Sequence, residues 1–400
     1  MMSFKIREDV RGVEAAIDNS RKGDKRMRLR KLDSSEHGLT RGLWEKVFSD
    51  DSKKFLDYYY FIKTRDNQIY MIEEDGAIRS MLHLNPYVLQ VEEGQFRCHY
   101  IIAVATEAKY RKRGYMGELL RASMMDMYAR KEPFTFLMPA AEAIYTPYDF
   151  RFIYKQNQEE ILGKEGSPGV ELKDAEIGDA AEMAEFFRKY FAPAYQVYAI
   201  RDENYYQTMI FEQMSENGGV KLMKQDGRIV GMFAYAREKR VEIREPLYLP
   251  EYEEEFQKAV YVLRAGEDSP VKILAACGKE ETTKVPMIMV RILHLQTLLE
   301  SMSVKAGENL DCSFAVLDTI ITANSRVWKL QVGGDNPAIQ VQETEDSQGV
   351  LTISALASLL FGYKTLEEIC EEEDVIVSEE LACELRKIQP LERVYLNEIV

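Results

Sequence analysis

Long apolar runs are missing from this 400-residue chain. No stretch approaches the roughly 20 apolar residues that cross a bilayer as a helix, so no membrane partner is expected. The opening MMSFKIREDVRGVEAA carries charges where a secretory leader needs an apolar core, and the expected location is cytoplasmic. Cysteine is scarce: Cys98, Cys277, Cys312, Cys370 and Cys383 are scattered, with no CxxC pair. That argues against a disulfide framework and against a zinc site of the usual spacing; no metal is expected. Histidine is scarcer, and His37, His83, His99 and His294 fall at no motif spacing. Basic residues are in deficit, 52 Lys and Arg against 67 Asp and Glu, for a net charge of −15. Such a surface repels phosphate backbones, which removes nucleic acid from the expected partners. It favours a cationic small molecule instead.

What is present describes a folded chain, 46% hydrophobic and 30% charged, too long for one ordinary core. Two or three domains are expected. Residues 1–26 are a polar extension, and the first strand is MRLRKL, 27–32. Ser34 to Phe48 reads as a helix behind the capping run DSSE. Antiparallel strands follow over 68–106, with a hairpin at Asp75-Gly76, where both residues tolerate positive φ. A helix over 114–130 aligns Met116, Leu119, Leu120, Met124 and Met127 on one face, and the strand PFTFLMPAA comes next. VKLMKQDGRIVGMFAYA repeats IYMIEEDGAIRSMLHL, with Asp226-Gly227 in place of Asp75-Gly76. Chance likeness between two hairpins is the alternative. A true second copy would lack a ligand site, because no arginine/glycine turn follows its strands. From Val285 a helix is expected in IMVRILHLQTLLESM, whose Ile288, Ile292, Leu295, Leu299 and Met302 repeat at helical spacing. Strands SFAVLDT, RVWKLQVG and AIQVQET, the apolar helix TISALASLLFGY, a short helix and the strand-like end VYLNEIV complete the chain.

The segment that carries chemistry is VATEAKYRKRGYMGELL, residues 104–120. A strand ends, and Arg111, Lys112, Arg113 and Gly114 lead into a helix. Outward-facing N–H groups and the helix dipole make such a terminus an anion cradle, which Gly114 lets a ligand approach closely. A pyrophosphate suits it; a solvated basic turn capping a core helix is the plain alternative. Here the chain resembles the GNAT N-acetyltransferases. Arg111-x-x-Gly114-x-Met116 is similar to their R/Q-x-x-G-x-G/A acetyl-CoA loop, with Met116 in place of the final small residue. That departure, PAAEAIYTPYDFRF, GVLTISALASLLFGYKT and the ending LNEIV together resemble the branch of "enhanced intracellular survival" (Eis) acetyltransferases.

The resemblance implies a mixed α/β (α+β) chain of two tandem GNAT-like domains, the second degenerate, and a C-terminal sterol-carrier-protein-like domain. The boundaries it suggests are 27–156, 157–285 and 286–400. It implies acetyl-CoA as co-substrate, a small amine acceptor and a homo-oligomer, a hexamer. Strands ending near Thr106 and Pro139 should splay around pantetheine, with Val104 and Thr106 offering main-chain groups and a strand N–H polarising the acetyl carbonyl. Tyr145 matches the family's general acid; a core tyrosine is the alternative in a chain with 23 of them. A phenol of pKa about 10 protonates a departing thiolate only when geometry holds the two together. The carboxylate of Val400 matches the Eis-type chain end that reaches the active site, as a base or as a lure for the ammonium. The expected activity is acetyl transfer by direct attack of a polyamine or aminoglycoside-like amine. Acetylation of protein lysine, and a non-enzymatic acetyl-CoA- or lipid-binding protein, stay open beside it.

Overall fold

The computed structural model describes residues 27–398, apart from 238–239, 265–268, 277–281 and 334–335. The extension 1–26, Cys277 and the chain end Ile399-Val400 lie outside the described residues. No helix among them is long and apolar enough to cross a membrane.

One large sheet runs through the first two units. From one edge its strands are Arg28–Lys31, Gln68–Glu74, Ala77–Val91, Gly94–Thr106 and Phe134–Leu137, then Thr283–Ile292 and Arg151–Ile161. It continues through Val271–Leu274, Val241–Tyr248, Arg228–Arg237, Gly219–Gln225 and Glu171–Asp174. The two hairpins turn alike. Asp75 and Gly76 have φ of 55° and 71°, Asp226 and Gly227 φ of 51° and 76°, the left-handed pair that matches strand twist. After each hairpin comes a third antiparallel strand, a 3₁₀ turn, a helix and a strand parallel to the third. The repeat is therefore structural.

The copies differ where the helix begins. Helix Tyr115–Ala129 follows Arg111, Lys112 and Arg113, whereas helix Glu253–Arg264 follows Glu251 and opens with Glu253, Glu254 and Glu255. Carboxylates at a helix N-terminus satisfy the dipole themselves and repel a phosphate. The second copy is degenerate for that reason.

Local sequence explains the core. Leu119, Leu120, Met124 and Met127 are fully buried under the first half of the sheet, and Phe256, Ala259 and Val260 under the second. The helix expected over 288–302 is corrected. Residues Thr283–Ile292 form a strand between Phe134–Leu137 and Arg151–Ile161, and only Leu295–Glu300 is helical. Ile288, Met289, Val290 and Ile292 are all buried; a strand covered on both faces shows no alternation, so its apolar run mimics helical spacing. The helix expected over 34–48 is a 3₁₀ turn Ser34–Thr40 followed by helix Arg41–Val47, with Asp33 and Glu36 forming the capping box.

The third unit is a five-stranded sheet, Asn336–Thr344, Val327–Gly333, Leu310–Leu317, Gly349–Thr352 and Ile376–Val377 in order, against the buried helix Ile353–Leu360. Arg291, fully buried, ties it to the large sheet through Asp318 at 2.5 Å. From this unit the chain end returns. Strand Val394–Tyr395 pairs in parallel with Val197–Ala199, which pairs with the end of Ala77–Val91. Asn397 then accepts from Gln156 at 2.5 Å and donates to the Arg244 carbonyl at 2.7 Å, which sets the terminus between the first two units.

Candidate active site

Strand Gly94–Thr106 is bulged. Its register against the neighbouring strand slips between Met81 and His83, and Ala103 takes φ of 51°, the extra residue that bends a strand and re-aims its groups. Its pairing with Phe134–Leu137 is confined to Tyr100 and Phe136. Beyond that pair these two strands share no further ladder among the described residues, while on the other side Ala105 and Thr106 stay paired with Met81 and Ser80.

The basic turn follows. Gly114, φ 86°, is the N-cap of helix Tyr115–Ala129, and no side chain caps that terminus. The first-turn N–H groups are thus left for an anion. Arg111 and Lys112 are exposed, and Arg111 Nε donates to the Thr106 carbonyl at 3.2 Å. Arg113 is partly committed elsewhere: it lies 4.6 Å from the Tyr110 ring centre and 3.4 Å from the Glu74 carboxylate. Tyr115 donates to the same carboxylate at 2.6 Å, which stiffens the start of the helix. Met116 is half-buried. A small residue does stand one place later: a Cβ on Gly117 would meet the Tyr148 hydroxyl at 2.7 Å. These features fit a pyrophosphate.

Tyr145 ends the short helix Glu142–Tyr145 and is buried with its ring edge-on to Phe150, 5.8 Å between centres. Burial pushes its hydroxyl up to about 12, so it carries its proton throughout the neutral range. Burial is what chiefly raises the Tyr100 hydroxyl, and Tyr145 adds a minor push in the same direction.

A cleft of about 570 Å³ opens between the two halves of the sheet. Its walls include Lys63, Tyr87, Tyr205, Glu212, Glu245 and Glu398. Glu398 is buried; its Oε1 accepts from Tyr205 at 3.2 Å and stands 3.7 Å from Arg201. Its Oε2 has no hydrogen-bond partner among the described residues. Burial pushes this carboxyl up to about 6, against the pull of Arg201. Burial also raises Glu212, which accepts from the Tyr58 hydroxyl at 2.9 Å.

Neither Tyr145 nor the 111–114 turn lines this cleft. Tyr87 makes the connection: it lines the cleft while its ring packs 6.4 Å from Tyr100 and 6.0 Å from Phe136. Those two residues are the last pair before the strands diverge. Sequence reasoning missed Tyr87, Glu212 and Glu398. The one available signal was a carboxylate, Glu398, inside the apolar terminal segment. The histidines stand apart: His83 is pushed down to about 3 by burial, His99 pairs with Glu132 at 2.8 Å, His37 contacts the Thr64 carbonyl, and His294 caps Leu295–Glu300.

Residues 28–153 match the acetyltransferase (GNAT) domain family, and residues 295–397 match the sterol carrier protein domain. No curated protein matches the chain. Among solved structures, a probable N-acyltransferase from Enterococcus faecalis superposes with a TM-score of 0.78 at 17% identity, covering 94% of this chain and 100% of that one. A GCN5-related N-acetyltransferase from Anabaena variabilis gives 0.77 at 16% identity over 94% and 100%. An Eis protein from Mycobacterium abscessus gives 0.68 at 12% identity over 93% and 100%. At these identities the likeness is one of fold, and it extends over nearly the whole chain. The fold implies acetyl-CoA as co-substrate. The chain is thus an acyltransferase that carries a GNAT domain in its N-terminal third and a sterol carrier protein domain at its C-terminal end, in the fold shared by Eis-type proteins.

Proposed function

We propose that this protein transfers acetyl from acetyl-CoA to a primary amine of a small cationic acceptor, a polyamine or an aminoglycoside-like molecule. The observation that carries this reading is the cleft wall formed by Glu212 and Glu398 beside Tyr87 and Tyr205, with Glu245 held by Arg201 behind it. Carboxylates and aromatic rings together are what an ammonium group seeks.

In this reading the N–H groups after Gly114, with Arg111 and Lys112, hold the pyrophosphate, and Met116 covers the first turn. Pantetheine runs along Val104 and Thr106, between the parted strands. A main-chain N–H of that strand meets the acetyl oxygen as the carbonyl becomes tetrahedral. The amine, deprotonated, attacks the carbonyl carbon from the cleft. The C–S bond breaks as the intermediate collapses, and Tyr145 gives its proton to the departing thiolate. Before attack the ammonium loses one proton through water to the carboxylates near the chain end, of which Val400, two residues beyond Glu398, supplies one. The second proton, lost from nitrogen as the amide forms, restores Tyr145.

The test is thiol release from acetyl-CoA against a panel of amines that includes spermidine and kanamycin. Amine-dependent release is expected. Acetyl-CoA binding with no release for any member of the panel would overturn the reading.

A further inference from the structure

Lys63 is a basic residue in an acidic place. It opens the short turn Lys63–Asp66 that follows helix Lys53–Phe61, and it lines the cleft. Its Nζ donates to the Tyr87 hydroxyl at 3.1 Å and lies 5.1 Å from the centre of the Tyr87 ring. Burial lowers its pKa, and Glu212 of helix Glu203–Ser215 and Glu398 of the chain end both act against that lowering. The Lys63 charge in turn offsets the cost of ionising buried Glu212.

An aromatic ring, a hydroxyl and two carboxylates from different elements are the surroundings an acceptor ammonium would need. Lys63 already has the ring and the hydroxyl of Tyr87, and it lines the same cleft as both carboxylates. A tethered ammonium is present at high effective concentration, so a free one does not displace it without help. Resting on the acceptor reading above, we infer that Lys63 is a resident ammonium that fills a subsite suited to an acceptor's second amine. It thereby sets how many positive charges the acceptor brings into the cleft. Lys63 is then a specificity-determining residue with no part in the bond-making step.

The experiment uses two acceptors of equal length that differ by one charge, hexylamine and 1,6-diaminohexane. Lys63→Met keeps most of the apolar stem and removes the ammonium. The ratio of kcat/KM for diamine over monoamine should rise about tenfold or more in Lys63→Met, since the place of one ammonium beside the Tyr87 ring, in the cleft that Glu212 and Glu398 line, is then open. Lys63→Arg keeps the charge and should hold the ratio within about threefold of the original protein. A thermal melt without acetyl-CoA gives a second readout: 1,6-diaminohexane should stabilise Lys63→Met more than the unaltered protein. An unchanged ratio in folded, active Lys63→Met overturns the inference, and so does an Arg variant that shifts as far as the Met variant. If Lys63→Met is inactive, the melt decides: no gain from the diamine overturns the inference. If the unaltered protein acetylates neither amine while binding acetyl-CoA, the acceptor reading falls and this inference with it.

Discussion

The Tyr205 hydroxyl donates to the Glu398 carboxylate at 3.2 Å, joining a helix of the second unit to the segment that leaves the third. One wall of the cleft beside the GNAT domain is therefore built by the end of the chain. Four outcomes follow from this arrangement and from the cofactor turn.

Glu398 should make cation binding sensitive to acid. Burial raises its carboxyl to about 6; above that pH it is charged, and as pH falls through 6 it takes up a proton and stops attracting an ammonium. A diamine stays fully protonated between pH 5 and 8, so only the protein titrates. Calorimetry should show the affinity for 1,6-diaminohexane falling severalfold from pH 8 to pH 5. Glu398→Gln should bind weakly at both, with Glu212 leaving a small residual slope. Equal affinity at both pH values in the unaltered protein would remove Glu398 from the acceptor site.

Gly114→Ala and Gly114→Asp separate strain from charge. Gly114 has φ of 86° and no atom within 4 Å of an added Cβ. Alanine there costs about 1–3 kcal/mol of backbone strain and little else. Aspartate adds a negative charge where the pyrophosphate is proposed to sit. Acetyl-CoA affinity should drop modestly in the alanine variant and disappear in the aspartate variant. Intact affinity in a folded Gly114→Asp would move the cofactor elsewhere.

Tyr145→Phe keeps the ring that packs on Phe150 and deletes the proton donor. Turnover should fall about 10²–10⁴-fold, the usual cost of losing a general acid, while calorimetric acetyl-CoA affinity stays near normal. With its hydroxyl raised to about 12, Tyr145 should impose no loss of kcat between pH 7 and 10. Near-normal turnover in the Phe variant, with chemistry rate-limiting, would make Tyr145 a packing residue.

The chain end should tolerate little. Val394, Tyr395, Leu396, Asn397 and Glu398 are all buried, so a C-terminal tag would extend a segment that is packed up to Glu398. Activity should drop with a C-terminal tag and on removal of Ile399 and Val400, and the truncated protein should melt within a few degrees of the original. Equal activity in all forms would deprive the terminal carboxylate of a role.

The cofactor turn was legible because its parts are neighbours in sequence. A strand, a basic turn and a helix occupy residues 94–129 without interruption, and each has a local signature, whereas the bulge in the strand had none. The Asp-Gly hairpins were legible for the same reason, since positive φ at both turn positions selects those residue types. Residues 283–292 were misread because their spacing matched a helix, and only the two strands beside them show that they belong in a sheet. The cleft lined by Tyr87, Glu212 and Glu398 had one local signal, a carboxylate inside the apolar terminal segment.

The sequence by itself determined the basic turn before helix Tyr115–Ala129 and which hairpins recur, because helix termini and turns depend on residues a few places apart. It also marked the terminal segment as buried, through its apolar pattern. The tertiary structure alone decided what lines the cleft. Lys63 and Tyr87 come from the first unit, Tyr205 and Glu212 from the second, and Glu398 from the chain end. The charge state of buried groups depends on neighbours such as Arg201 and Glu212, which no spacing along the chain reveals.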